Sequence, residues 1–198
     1  MLKLAVLVSG GGSNLQAVID AIEAGRVNAE IALVVSTNDR AYALERAKNH
    51  GIPAVVLAKN DFESEAEREA QLMRLIKAYD IGLIALCGCL MILSADFIRE
   101  VGRPIINVHP ALLPDFGGKG FYGLRVHEAV ISAGKAVTGA TVHYVEADID
   151  TGGIILQKQV AVMPDDTAES LQARVMREAE WQILPEVISM FAEGRLKL

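Results

Sequence analysis

Apolar and polar positions along this chain follow two rhythms that alternate. Residues 4–8 are an unbroken apolar run, as in a strand buried on both faces. Over 15–24, Leu15, Val18, Ile19 and Ile22 recur at helical spacing, and Gly25 supplies a stop. The alternation continues through a strand over 31–35, a helix over 42–49 closing near Gly51, and a short strand over 54–57. A charged amphipathic helix follows over 64–79, with Ser64 as its cap and Glu67 three residues on. A strand over 81–86, a short helix over 94–101 and a strand over 105–109 complete the series.

Apolar strands separated by helices predict right-handed βαβ units. The expected class is α/β, a mostly parallel twisted sheet with helices on both faces, and ligands at the carboxyl ends of its strands. The rhythm then changes. Residues 110–123 hold four Gly and two Pro with few periodic positions, which reads as a functional loop. Beyond it the pattern predicts a helix over 124–133 and strands over 140–145 and 154–162, joined by a turn at Asp150. A long helical region over 167–193 follows, with Pro185 as its break and with Trp181 and Met190 in the core. No repeat, linker or low-complexity tract divides residues 1–198, so one domain is expected.

Composition narrows this picture. Hydrophobic residues make up 52% of 198, enough for a core of ordinary size. The net charge of −6 argues against nucleic-acid binding through a basic surface, though not against a small phosphorylated ligand. No window approaches a membrane span, and the apolar start runs into Ser9-Gly10 as a first strand rather than a leader. Strand alternation would put Cys87 and Cys89 on one face, where neither a disulfide nor a zinc site is favoured. Reduced, buried thiols in a cytosolic protein are expected.

Two stretches carry candidate chemistry. Ser9-Gly10-Gly11-Gly12-Ser13-Asn14 joins the first strand to the first helix. Glycines let a ligand approach the backbone, and a helix N-terminus favours an anion. The stretch lacks the Gly-Lys-Ser/Thr ending of a nucleoside-triphosphate loop and the spacing of a dinucleotide fingerprint. It fits a phosphate monoester, or else a tight turn with Ser13 as N-cap. Asn107-Val108-His109-Pro110 ends the fifth strand, with Asp150-Thr151-Gly152-Gly153 downstream. Residues two apart share a strand face, so Asn107 and His109 can enter one cleft while Val108 meets the core. An amide donor, an imidazole and a carboxylate suit acyl transfer, the acid raising the pKa of the ring. The same residues could simply end a strand. Lys119, in the Gly117-Gly118-Lys119-Gly120 run, lies either near a bound phosphate or in a solvated loop. His143 either lines the cleft or is a hydrogen-bonded, supporting histidine, with the supporting role favoured, and His127 and His50 read as structural.

Taken together, these motifs resemble the glycinamide ribonucleotide formyltransferase family over nearly the whole chain. The match rests on residues 9–16, 105–114, 139–145 and 150–157. The resemblance implies a Rossmann-like formyltransferase fold, a cytoplasmic location and formyl transfer from 10-formyltetrahydrofolate to the amine of glycinamide ribonucleotide in purine synthesis. It assigns Asn107, His109 and Asp150 to catalysis. Gly12, Ser13, Asn14 and the flanking Leu15 fall on the substrate phosphate, and Glu180 on the substrate. Leu90, Met91, Ile92, Leu93 and Asn107 fall on the folate. It implies a phosphate-binding half over 1–100 and a folate and catalytic half over 101–198. It implies no metal, no nucleic acid, no membrane, and a monomer or homodimer. Many members carry Arg where this chain has Met91, and another near Glu65, so contacts to the folate would differ. Formylation of another amine and a non-catalytic phospho-ligand module are the rival readings. The joint presence of Asn107, His109 and Asp150 favours an enzyme over the latter.

Overall fold

The computed structural model describes residues 1–197. Seven strands make one sheet: β1 (Leu2–Val8), β2 (Ala29–Ser36), β3 (Ala54–Val56), β4 (Leu83–Leu86), β5 (Ile105–His109), β6 (Val137–Tyr144) and β7 (Ile154–Ala161). The helices are α1 (Ser13–Glu23), α2 (Tyr42–Asn49), α3 (Glu65–Ala78), α4 (Ala95–Glu100), α5 (Leu124–Ser132), α6 (Ala168–Val175) and α7 (Trp181–Ala192). The spatial order is β3-β2-β1-β4-β5-β6-β7. Strands β1 to β5 are parallel, and β6 and β7 are added antiparallel.

The unbroken apolar character of β1 has a direct cause. Leu4, Val6 and Val8 enter the core on one face, which α1, α6 and α7 cover. Ala5 and Leu7 enter the second core on the other face, against α3 and α4. Each fully buried aliphatic side chain of this size contributes about 1.5–3 kcal/mol. Ser64 caps α3 by accepting the Glu67 N–H at 3.1 Å, while Glu67 reaches back to the Glu63 N–H at 2.8 Å.

The chain runs outward from β1 to β3, then crosses back to place β4 on the other side of β1. This reversal opens a crevice at the carboxyl ends of β1 and β4, where open α/β sheets bind ligands.

Three expectations are corrected here. Strand β4 ends at Leu86, and the chain turns at Gly88, whose φ is +68°. Cys87 therefore packs in one core and Cys89 against the other, on opposite faces rather than one. Pro185 does not break the last helix. It lies inside α7, where its missing N–H frees only the Trp181 carbonyl. The irregularity is a π-turn upstream, at Met176–Glu180. Trp181 is 37% exposed, outside the core.

Candidate active site

One cleft of about 760 Å³ occupies the carboxyl edge of the sheet. Its walls come from both halves of the chain: the turn after β1, residues 86–93, the ends of β5 and β6, and the π-turn.

The turn after β1 is shaped by its neighbours. The Gly10 carbonyl accepts the Ala43 N–H at 3.1 Å, and the Gly11 carbonyl accepts Arg46 Nε at 2.9 Å. Both carbonyls are thus occupied by α2, and the first N–H groups of α1 have no intrahelical partner. Gly12, not Ser13, is the N-cap, with φ +71° and no side-chain cap. A Cβ on Gly12 would lie 2.7 Å from Ala43 Cβ, so only glycine fits. Ser13 begins the helix. Leu15 is fully buried and its side chain does not line the cleft, which leaves it a packing role. The buried Asn14 Nδ2 donates to Glu180 Oε2 at 2.6 Å, across 166 residues of sequence. Burial pushes the Glu180 carboxyl up to about 7, against the opposing effect of Asn14.

The second group assembles on β5, β6 and the loop before β7. Ile106 and Val108 face the core, so Asn107 and His109 share the opposite face. Asp150 has φ +58° and lies 3.5 Å from His109 Nδ1 through Oδ2 and 3.5 Å from Asn107 Nδ2 through Oδ1. The Gly118 N–H donates to Asp150 Oδ2 at 2.9 Å. Gly152 holds this loop against β6: a Cβ there would lie 1.8 Å from the Tyr144 carbonyl oxygen. The amide, the ring and the acid are therefore brought together.

His143 belongs to the same cluster. It sits directly opposite Asn107 in the β5–β6 register. Its Nδ1 faces the Tyr144 carbonyl at 2.8 Å, which places the proton there. Its Nε2 then accepts from Asn107 Nδ2 at 3.1 Å and lies 3.5 Å from Asp150 Oδ1. Only the strand pairing could have revealed this contact. His127 is fully buried in the wall of the cleft with neither ring nitrogen partnered. Burial pushes it down to about 4, and His109 pushes it further the same way. His50 bonds Glu23 at 2.7 Å, outside the site.

Charge in the cluster is set by competing effects. Burial raises the Asp150 carboxyl, but its polar surroundings, with the Gly118 N–H donating at 2.9 Å, outweigh it and hold the group below its usual range. Burial lowers His109, and Asp150 and the Phe116 carbonyl offset this only in part. Asp150 does raise the ring by charge attraction, as expected, but the cost of removing the ring from water is larger and leaves His109 below its ordinary value, so the imidazole is neutral at pH 7. Its Nε2 carries the proton, donated to the Phe116 carbonyl at 2.8 Å.

Leu90 to Leu93 all line the cleft, in two manners. Met91 and Leu93 are buried in the second core, whereas Leu90 and Ile92 are 64% and 68% exposed at the rim. Ser9 Oγ accepts the Leu90 N–H at 2.8 Å and ties this segment to the glycine turn. Glu65 pairs with Lys59 and Arg68 on α3. Among the described residues, no group of three or more His, Cys, Asp or Glu is placed to hold a metal ion. None of their helices is long and apolar enough to cross a membrane.

An α/β sheet with an open glycine turn and an amide–imidazole–carboxylate cluster in one cleft has the arrangement of an acyl-transfer protein. The formyl transferase family model matches residues 2–188, and the chain belongs to that family. It is 40% identical over 198 residues to phosphoribosylglycinamide formyltransferase of Haemophilus influenzae, covering 100% of this chain and 91% of that protein. It is 38% identical to the chloroplastic phosphoribosylglycinamide formyltransferase of Vigna unguiculata, covering 98% of this chain but 62% of the longer relative. The solved glycinamide ribonucleotide transformylase 1 of Symbiobacterium toebii superposes with a TM-score of 0.92 at 38% identity, over 100% of this chain and 91% of that one.

Proposed function

We propose that the protein transfers a formyl group from 10-formyltetrahydrofolate to the amine of glycinamide ribonucleotide, in purine synthesis. The observation that carries this reading is the meeting of Asn107, His109 and Asp150 in the same cleft as the open N-terminus of α1. The ribonucleotide's phosphate takes the N–H groups of Gly12, Ser13 and Asn14, and Glu180 faces its sugar. The folate ring system lies on the apolar wall of Leu90 to Leu93, with the formyl group toward Asn107. Recognition of the ribonucleotide thus draws on Glu180 from the second half of the chain, and folate recognition on residues 90–93 from the first.

The chemistry follows from the resting state. The substrate amine attacks the formyl carbon, and the carbonyl electron pair moves onto oxygen. One Asn107 N–H is held by His143, and the other stabilises that oxyanion. The amine proton passes to the free Nδ1 of the neutral His109, directly or through water, beside the ionised Asp150. The resulting imidazolium is flanked by Asp150 and the Phe116 carbonyl. It returns the proton to the departing folate nitrogen as the carbon–nitrogen bond breaks. The net change moves one formyl group one way and one proton the other. The protein acts in the cytoplasm on two small molecules, as a monomer or homodimer.

The test is to mix the protein with both substrates and follow the folate absorbance. Turnover is expected, falling roughly a hundredfold or more in His109→Ala. Near-normal turnover in that variant removes the mechanism. Formylation of another amine in preference to this acceptor removes the assignment of substrate.

A further inference from the structure

The glycine turn is braced from outside the cleft by one side chain. Arg46, half-buried on α2, donates through Nε to the Gly11 carbonyl at 2.9 Å and through Nη1 to Gln16 Oε1 on α1, also at 2.9 Å. Its Cδ lies 3.4 Å from where a Cβ on Gly12 would stand, so its stem packs against the turn. The Tyr42 ring holds the guanidinium from the other side, 5.0 Å from its central carbon. Among the described residues, no carboxylate oxygen lies within 4.0 Å of its nitrogens. A carbonyl turned into the cleft would repel an anion there, and Arg46 holds this one away. A guanidinium bonded to carbonyl oxygens rather than to an acid also keeps its charge unneutralised. The turn carries a second sign of a ligand. Asn14 is 7% exposed and lines the cleft, its Nδ2 is engaged by Glu180, and its Oδ1 has no partner. A buried acceptor without a donor is destabilising. Open N–H groups beside such an acceptor suit a ligand that brings both an anion and hydroxyl groups, as a sugar phosphate does.

We propose that Arg46 is a positioning residue for the ribonucleotide's phosphate: it holds the Gly11 carbonyl out of the turn and keeps a positive charge beneath it, so that phosphorylated acceptors are preferred over unphosphorylated ones. The inference rests on the proposed function, which puts that phosphate on Gly12, Ser13 and Asn14. Arg46 is not part of the cleft wall, so it acts through the turn and through its field rather than by contact. Its two hydrogen bonds tie α2 to the turn and to α1 at once, which a planar guanidinium can do and a single ammonium cannot.

The experiment measures kcat/KM for glycinamide ribonucleotide and for glycinamide riboside, its unphosphorylated form, in the parent, Arg46→Gln and Arg46→Lys. The preference for the phosphorylated acceptor should fall about tenfold in Arg46→Gln, through KM for the ribonucleotide rather than kcat. It should fall less in Arg46→Lys, which keeps the charge but cannot bridge Gly11 and Gln16. An unchanged preference in Arg46→Gln overturns the inference. A loss shared equally by both acceptors overturns it too, since Arg46 would then support the fold alone. Should Arg46→Gln fail to fold, the preference in Arg46→Lys decides in the same way. Turnover of the ribonucleotide by the parent tests the proposed function separately. If the parent formylates neither acceptor, that function fails and calorimetric titration with inorganic phosphate decides the role of Arg46. Binding to the parent, weakened about tenfold in Arg46→Gln, supports it. Equal binding to both, or none to the parent, overturns it.

Discussion

The glycine turn and the cluster of Asn107, His109 and Asp150 share one cleft but are made differently. The turn is six consecutive residues, 9–14, and the groups it offers the cleft are backbone N–H bonds, its Gly10 and Gly11 carbonyls being taken by α2. The cluster joins Asn107 to an acid 43 residues away, and its working groups are side chains whose charges are mutually dependent. A site built from backbone depends on conformation and is indifferent to much side-chain chemistry. A site built from coupled side chains depends on chemistry, and its fold survives the loss of any one of them.

The largest expected effect breaks the cluster alone. Asp150→Asn keeps the shape but removes the charge beside His109, and kcat should fall roughly a thousandfold with little change in melting temperature. A loss below about tenfold would show that the acid is not part of the chemistry.

The next effect separates the two regions by pH. The folded pKa of His127 is about 4, against 6.5 for the free ring. Above 6.5 the ring is neutral folded or unfolded, and stability is complete. As pH falls from 6.5 to 4 the unfolded chain takes the proton first, so stability drops by about 3 kcal/mol. Glu180 works in the opposite sense. Its folded pKa is about 7 against 4.5, so its contribution is complete below 4.5 and is lost as pH rises toward 7. Denaturant melts between pH 4 and 7 should show the acid-side loss reduced in His127→Gln. A difference between variant and parent that is the same at every pH would contradict this.

The smallest effect breaks the turn. Gly12→Ala must adopt a left-handed conformation and displace Ala43, at a cost of about 1–2 kcal/mol. KM for the ribonucleotide should rise about tenfold while kcat changes little. An unchanged KM would mean that the turn does not hold the phosphate.

Much of the fold was legible because its causes are local. Strand β5 was expected over 105–109 and helix α2 over 42–49, and both have those bounds. Ser64 and Glu67 marked the start of α3 by a hydrogen bond three residues long. The misreadings share an opposite origin. Trp181 has core spacing, yet the π-turn before it shifts the helical phase. Cys87 and Cys89 were parted by a positive φ at Gly88 that no periodicity announces. His143 became part of the site only through its register opposite Asn107.

By itself, then, the sequence determined the order and type of the elements, the open turn before α1, and which side chains could do acyl chemistry. These follow from periodicity, glycine and residue type, all of which act over a few neighbouring residues. Only the tertiary structure decided that His143 completes the cluster, that Glu180 meets Asn14, and that His109 rests neutral. Those outcomes depend on strand pairing and burial. The pull of Asp150 on the ring could be anticipated from residue types, but the larger cost of removing that ring from water appears only once the chain has closed around it.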